Sequence, residues 1–228
     1  IAMKNKQMAK IPVLVGGNLE DGRIFVYLGE KFSINPLEYW IAVFGLWGRE
    51  GLEVIEKYPA ESDGDPKETI TRVVTDYIFQ CLGRFVADTY TAAGLPAYLY
   101  DFGYPTRMFW GPWSDICKGH SCHGGELMFV FNNIIAIQNA TEEERTLASK
   151  MNAYWANFVT TGDPNTPGGT PLPALDDSAN LTHWPAYEAQ DRPWMNFSDA
   201  SPEPITHFKD GYCALWDSIG YYREPGII

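Results

Sequence analysis

Apolar and polar positions alternate between two kinds of period along this chain. Ile11-Pro12-Val13-Leu14-Val15 is a continuous apolar run ended by Gly16-Gly17-Asn18, the pattern of a buried strand. Leu19 to Gly22 then forms a turn at the strand's carboxyl end, the edge of an α/β sheet where ligands and catalytic groups collect. Residues 36–58 read as one or two short helices, with Trp40, Phe44 and Trp47 at helical spacing as core or pocket wall. In Asp65-Pro66-Lys67-Glu68 the Asp is an N-cap, the Pro opens the first turn, and the Glu is placed to bond back. That helix runs to about Ala93, where Gly94-Leu95-Pro96 ends it, and Ala97–Phe102 alternates as a second strand. Strand, long helix and strand make a βαβ-like unit, so the fold class is α/β.

Further along, Thr141-Glu142-Glu143-Glu144 is a capping box opening a helix to about Thr161, closed by Gly162-Asp163-Pro164-Asn165. From 163 to 205 the chain is rich in Pro, Asp and Asn and reads as surface loop with at most one short strand, at Trp194–Phe197. The segment from Ile205 to Tyr222 is amphipathic, carrying Phe208, Cys213, Trp216 and Ile219 toward the domain. No internal repeat or low-complexity tract breaks this order.

With 228 residues, 45% hydrophobic and 14% aromatic, the chain buries a real core, as one large domain or a piece of one. A net charge of −12 and a pI near 4.7 leave no basic stripe to neutralise phosphates, which argues against nucleic acid as a partner. No apolar run reaches the roughly 18 residues of a membrane span. The opening Ile-Ala-Met-Lys has neither an initiator Met nor a signal-peptide pattern and reads as the interior of a longer protein. The four cysteines, at 81, 117, 122 and 213, leave two readings. As two disulfides they imply export; as four thiols they imply the cytosol.

The candidate chemistry centres on Cys122-His123-Gly124-Gly125-Glu126, followed by the apolar stretch Leu127–Phe131. A glycine turn holds the His123 imidazole where chain meets solvent, a useful place for a proton shuttle. Such a base needs a carboxylate to orient it, and Asp21 in the turn after the first strand is the candidate, with Glu20 beside it. It also needs a nucleophile. No serine here sits in a Gly-x-Ser-x-Gly elbow, and no Gly-rich loop offers oxyanion-hole amides. Cys122 adjoins His123 and Cys81 falls within a helix, so neither is a fitting substitute. His120 competes for the role of base, whereas His183 and His207 fall in surface-like segments.

Several of these segments resemble the C-terminal part of the type-B carboxylesterase and cholinesterase-like family of α/β-hydrolases. Ile11–Gly22 is similar to the strand and turn carrying that family's acid, normally a Glu directly before the Gly. The match implies Asp21 rather than Glu20, with a side chain one methylene shorter than usual. Cys122–Phe131 resembles the family's His-Gly-x-Glu-Leu motif, which implies His123 rather than His120 as the catalytic histidine. Met151–Phe158, Thr161–Asn165, Trp184-Pro185 and Met195–Phe197 follow in the family's order, so the likeness spans about Ile11 to Trp216. It also implies a Cys81–Cys213 disulfide, leaving Cys117 with Cys122 as a local loop, and hence a secreted or periplasmic protein.

On that resemblance the expectation is the C-terminal portion of one α/β-hydrolase domain, a mostly parallel sheet flanked by helices, spanning 1–228. Its function is serine carboxylic-ester hydrolysis, with a small-molecule ester as substrate and no cofactor. The Ser nucleophile then belongs to an N-terminal portion of the same enzyme, absent from these residues. Two alternatives stand beside it. A catalytically inactive relative would serve as an interaction domain on the same fold. Alternatively, Cys117, His120, Cys122 and His123 carry zinc-type ligands, although their spacing matches no familiar site. The Met108–Trp113 cluster is a candidate pocket wall or core segment.

Overall fold

The structure, a computed structural model, describes residues 9–29, 33–60, 66–107, 114–137, 139–168 and 181–221. Four strands lie in the order β1 (Val13–Asn18), β2 (Ala97–Phe102), β3 (Pro193–Asn196), β4 (Glu203–Thr206). β1 pairs parallel to β2, with Gly17 opposite Asp101 and Asn18 opposite Phe102. β3 continues the parallel sheet beside β2, and β4 closes it antiparallel to β3.

Side chains alternate across β2. Tyr98 and Phe102 point into a core with Phe129 of α7 (Leu127–Val130) and with Met151, Tyr154, Trp184 and Phe197, under helix α8 (Glu142–Thr161). Ala97 and Leu99 point the other way, against Ala87 of α5 (Cys81–Ala92) and against Trp194. A third cluster joins α2 (Pro36–Trp47) and α3 (Gly51–Lys57) to α9 (Asp210–Ile219) through Tyr39, Val43, Val54 and Trp216. The Cys81–Cys213 disulfide lies inside that cluster, and Cys117–Cys122 ties the end of α6 (Ser114–Cys117) to the loop before His123.

Local signals account for many boundaries. Thr141 and Glu144 form the reciprocal cap of α8, and Gly162 ends it at φ 81°. Gly94 at φ 73° stops α5. Among the described residues no helix is long and apolar enough to cross a membrane.

Several expectations are corrected. β1 is only half-buried along its apolar residues, because among the described residues it bonds a single neighbour and one edge stays open. The turn after it leads into a helix, α1 (Gly22–Gly29), that its mixed sequence does not announce. Residues 36–58 form two helices, but Trp40 and Phe44 are 46% and 37% exposed and only Trp47 is buried. Tyr39 and Val43 supply the inward face with Trp47 instead.

The long helix is α4 (Lys67–Val74), a π-helical turn over Thr75–Gln80, and then α5. Asp65 and the Met108–Trp113 cluster lie outside the described residues. Pro66 occupies the cap position, and Glu68 turns to Arg23 and Tyr27 rather than back to the helix end. The late segment is less of a surface loop than its composition implies. Trp184 is buried with its indole N–H on the Leu99 carbonyl at 3.1 Å, and the Tyr187 amide bonds the Ala97 carbonyl at 2.7 Å. The third strand starts one residue early, and Ile205 belongs to β4 rather than to the final amphipathic helix.

Cys81 and Cys213 are 132 positions apart, so their bond removes much of the unfolded chain's freedom. Replacing both by alanine is expected to lower unfolding free energy by about 2–5 kcal/mol, read from the denaturant midpoint.

Candidate active site

The site forms where β1 ends. Asn18, the last residue of the strand, starts a tight turn in which the Asp21 amide bonds the Asn18 carbonyl at 3.3 Å. Asp21 folds back so that its Oδ2 accepts the Asn18 backbone N–H at 2.6 Å. A Cβ on Gly17 would lie 2.6 Å from that same oxygen, so the fold-back needs a glycine at 17. Gly22 then opens α1, its N–H donated to Thr75 Oγ1 at 2.9 Å.

His123 approaches from the other side on the Cys122–Gly125 turn. The Gly125 amide bonds the Cys122 carbonyl at 2.9 Å, and Gly124 takes φ 79°, the conformation that a type II turn needs at its third residue. The loop is pinned to the acid turn by a parallel bridge between Glu20 and Cys122, with the Glu20 amide on the Ser121 carbonyl at 3.1 Å. Asn18 Nδ2 donates to the Cys122 carbonyl at 2.8 Å and to Glu126 Oε2 at 2.5 Å.

These contacts bring Asp21 Oδ1 to 2.8 Å from His123 Nδ1, across 102 positions of sequence. A carboxylate only accepts, so in the neutral imidazole Nδ1 carries the proton and Nε2 keeps its lone pair. The imidazole is 49% exposed while the carboxylate is 3% exposed. Phe25 and Phe79 flank the ring at centroid distances of 5.2 and 5.1 Å. The hydrogen bond to Asp21 raises the His123 pKa above its usual 6.5; desolvation opposes, and the charges of Asp21 and Glu126 add to the rise. Burial pushes the Glu126 carboxyl up, against the pull of Asn18.

The neighbouring acid is not idle. Glu20 holds His120 Nδ1 at 2.8 and 3.0 Å, accepts the Ser121 amide at 3.1 Å, and lies 3.7 Å from Arg23. Two acid–histidine pairs therefore stand side by side, and they differ in burial: Asp21 is enclosed, whereas Glu20 is partly open. His183 is exposed, and His207 pairs at the surface with Asp210 at 2.9 Å. The zinc reading fails, because Cys117 and Cys122 are joined as a disulfide and offer no thiolates. Among the described residues no group of three His, Cys, Asp or Glu is arranged to hold a metal ion.

Sequence reasoning missed Asn18, Thr75, Phe79 and Gln80. Asn18 carried a faint signal, a polar residue directly after a glycine-ended strand; the other three read as ordinary positions in a helix.

The comparisons with known proteins agree with this architecture. The family model described as "Carboxylesterase family" matches residues 1–216. "Crystal protein" of Dictyostelium discoideum is 30% identical over 216 residues, covering 92% of this chain and 38% of that protein. Carboxylesterase 1D of Rattus norvegicus is 31% identical over 212 residues, covering 92% of this chain and 34% of that one. The chain thus spans between about a third and two fifths of the length of these relatives. A solved structure titled as a thermophilic pNB esterase superposes with a TM-score of 0.69 at 20% identity, over 94% of this chain and 40% of that one. The fold is accordingly that of an α/β-hydrolase.

Replacing Asp21 by Asn removes the charge that favours the imidazolium while keeping an acceptor. The His123 titration midpoint, followed by NMR of the imidazole C2–H, is expected to fall from above 6.5 toward or below that value.

Proposed function

From the premise that this chain belongs to the carboxylesterase family, we propose that it supplies the base and the orienting acid of a serine carboxylic-ester hydrolase. The observation that carries the reading is the buried Asp21 carboxylate 2.8 Å from Nδ1 of an imidazole whose ring is half open to solvent. Of the two histidines beside the acid turn, His123 has the enclosed carboxylate, and it stands three residues before Glu126, as in the family motif.

The nucleophile of this reading is a serine in a part of the enzyme outside the 228 residues. Two facts favour that: the chain spans 38% of a relative that it matches over 92% of its own length, and one edge of β1 is unpaired among the described residues. His123 Nε2 takes the proton from the serine Oγ as Oγ attacks the ester carbonyl carbon. The tetrahedral intermediate collapses, breaking the bond to the alcohol oxygen, and the imidazolium returns its proton to that oxygen. Water, deprotonated by the same nitrogen, then attacks the acyl carbon; the bond to the serine Oγ breaks, the imidazolium returns its proton to Oγ, and the carboxylic acid leaves. Asp21 holds the tautomer and stabilises the imidazolium at each transfer. The chemistry calls for no cofactor.

The two disulfides support an exported protein, because such bonds persist in oxidising compartments. An inactive interaction domain on the same fold is the competing reading, and the intact acid–imidazole pair speaks against it.

Labelling of the intact enzyme with a fluorophosphonate tests the proposal; absence of label hands the fold to the interaction reading. His123→Ala is expected to lower kcat for ester hydrolysis by about 10³–10⁶ with the fold retained. Near-parent turnover in that variant removes the assignment. Only the neutral imidazole accepts a proton, and its pKa lies above 6.5. The activity of the parent should therefore rise with pH along a limb centred above that value.

A further inference from the structure

The helical run from Lys67 to Ala92 changes its hydrogen bonding at Thr75–Gln80, where a π-helical turn interrupts two α-helical stretches. In an α-helix, residue 80 would stand about 140° around the axis from residue 75. The wider turn brings residues i, i+4 and i+5 to one face. The three residues so aligned all meet the acid turn or the imidazole. Thr75 Oγ1 accepts the backbone N–H of Gly22 at 2.9 Å, next to Asp21 in sequence. The Phe79 ring packs 5.1 Å from the His123 ring. Gln80 Nε2 donates to the Asn18 carbonyl at 3.0 Å, and the N–H of the same Asn18 donates to Asp21 Oδ2.

The Gln80 amide is itself anchored. Its Nε2 also donates to Asp101 Oδ1 at 2.9 Å, and Asn196 Nδ2 donates to Asp101 Oδ2 at 3.2 Å. Asp101 is buried opposite Gly17 in the β1–β2 register, and burial pushes its carboxyl up to about 7. The anchor runs from β3 through β2 and the π-turn to the end of β1.

We propose that the π-helical turn is a cradle for the acid–imidazole pair, with Thr75 and Gln80 as positioning residues that hold Asp21 and His123 in hydrogen-bonding geometry. The catalytic meaning of the cradle rests on the esterase reading; its effect on the pair does not. The charged groups acting on His123 are Asp21 and Glu126, and Asp101 acts on this set through Asp21. Loosening the cradle lengthens the Asp21–His123 bond and returns the imidazole toward its free proton affinity.

The test is an NMR titration of His123 in the intact protein, with kcat and KM measured alongside. Thr75→Val deletes the acceptor at nearly constant shape, Thr75→Ser keeps it, and Gln80→Leu deletes both amide donors. Thr75→Val and Gln80→Leu should each lower the His123 midpoint by about half a unit or more. Both should cut kcat roughly tenfold or more with a smaller change in KM, while Thr75→Ser keeps the parent midpoint. Gln80→Leu takes the donor from Asp101 Oδ1 and leaves Asn196 on Oδ2; if it does not fold, the double variant Gln80→Leu/Asp101→Leu takes its place. A parent midpoint in both folded variants overturns the cradle, and so does an equal fall in Thr75→Ser. Lowered midpoints in a protein that takes no fluorophosphonate label leave the cradle standing and overturn the esterase reading instead.

Discussion

A buried carboxylate is the constraint around which this molecule is arranged. Enclosing Asp21 costs several kcal/mol of lost hydration unless charged or well-aligned donors replace the water. Two donors meet it, the Asn18 backbone N–H on one oxygen and the His123 imidazole on the other. Charge-assisted bonds of this kind contribute about 1.5–3 kcal/mol each, enough to offset the burial only if both are held in line. Much of the neighbouring structure serves that alignment. Gly17 has no side chain to displace the carboxylate, Thr75 fixes the next peptide, and the bridge between Glu20 and Cys122 brings the imidazole loop alongside.

The same constraint explains how the two disulfides divide their tasks. Cys117–Cys122 closes the short loop that presents His120, Ser121 and His123 to the acid turn, limiting the conformations that would carry the imidazole away. Cys81–Cys213 sits directly after the π-turn and ties α5 to α9 inside the cluster of Tyr39, Val54 and Trp216. A π-turn is a rare interruption of α-helical bonding. The covalent tie and the aromatic packing at its next residue hold it where Gln80 reaches Asn18.

The pairing of acids with histidines is a register effect. Glu20 and Asp21 are adjacent, yet one turns to His120 and the other to His123, because the parallel bridge at Glu20 and Cys122 sets which residue faces which. Only the Asp21 pair combines an enclosed carboxylate with an imidazole that leaves a ring nitrogen for a reacting group. Glu20 and His120 are instead tied to Ser121 and Arg23, as a clamp between the two loops. Two acid–histidine pairs of similar chemistry thus perform different tasks side by side.

The sequence by itself determined the features that depend on neighbours along the chain. Thr141 with Glu144, Gly162, Gly94 and Gly124 set helix ends and a turn through local backbone preference, and strands formed at 13–18 and 97–102 because the β-branched Val13 and Val15 and the aromatic alternation of Tyr98, Tyr100 and Phe102 are local signals. Its local pattern also offered Asp21 and His123 as candidates, and resemblance to a family chose them over Glu20 and His120 and paired the cysteines. Tertiary structure alone decided that Trp40 and Phe44 face outward, that Trp184 leaves a loop to enter the core, and that Gln80 and Asp101 stand behind the acid turn. Such outcomes turn on strand register and on the rotation of one helical turn. Those are set by packing energies summed over residues tens of positions apart, to which a local pattern of apolar and polar residues carries no direct signal.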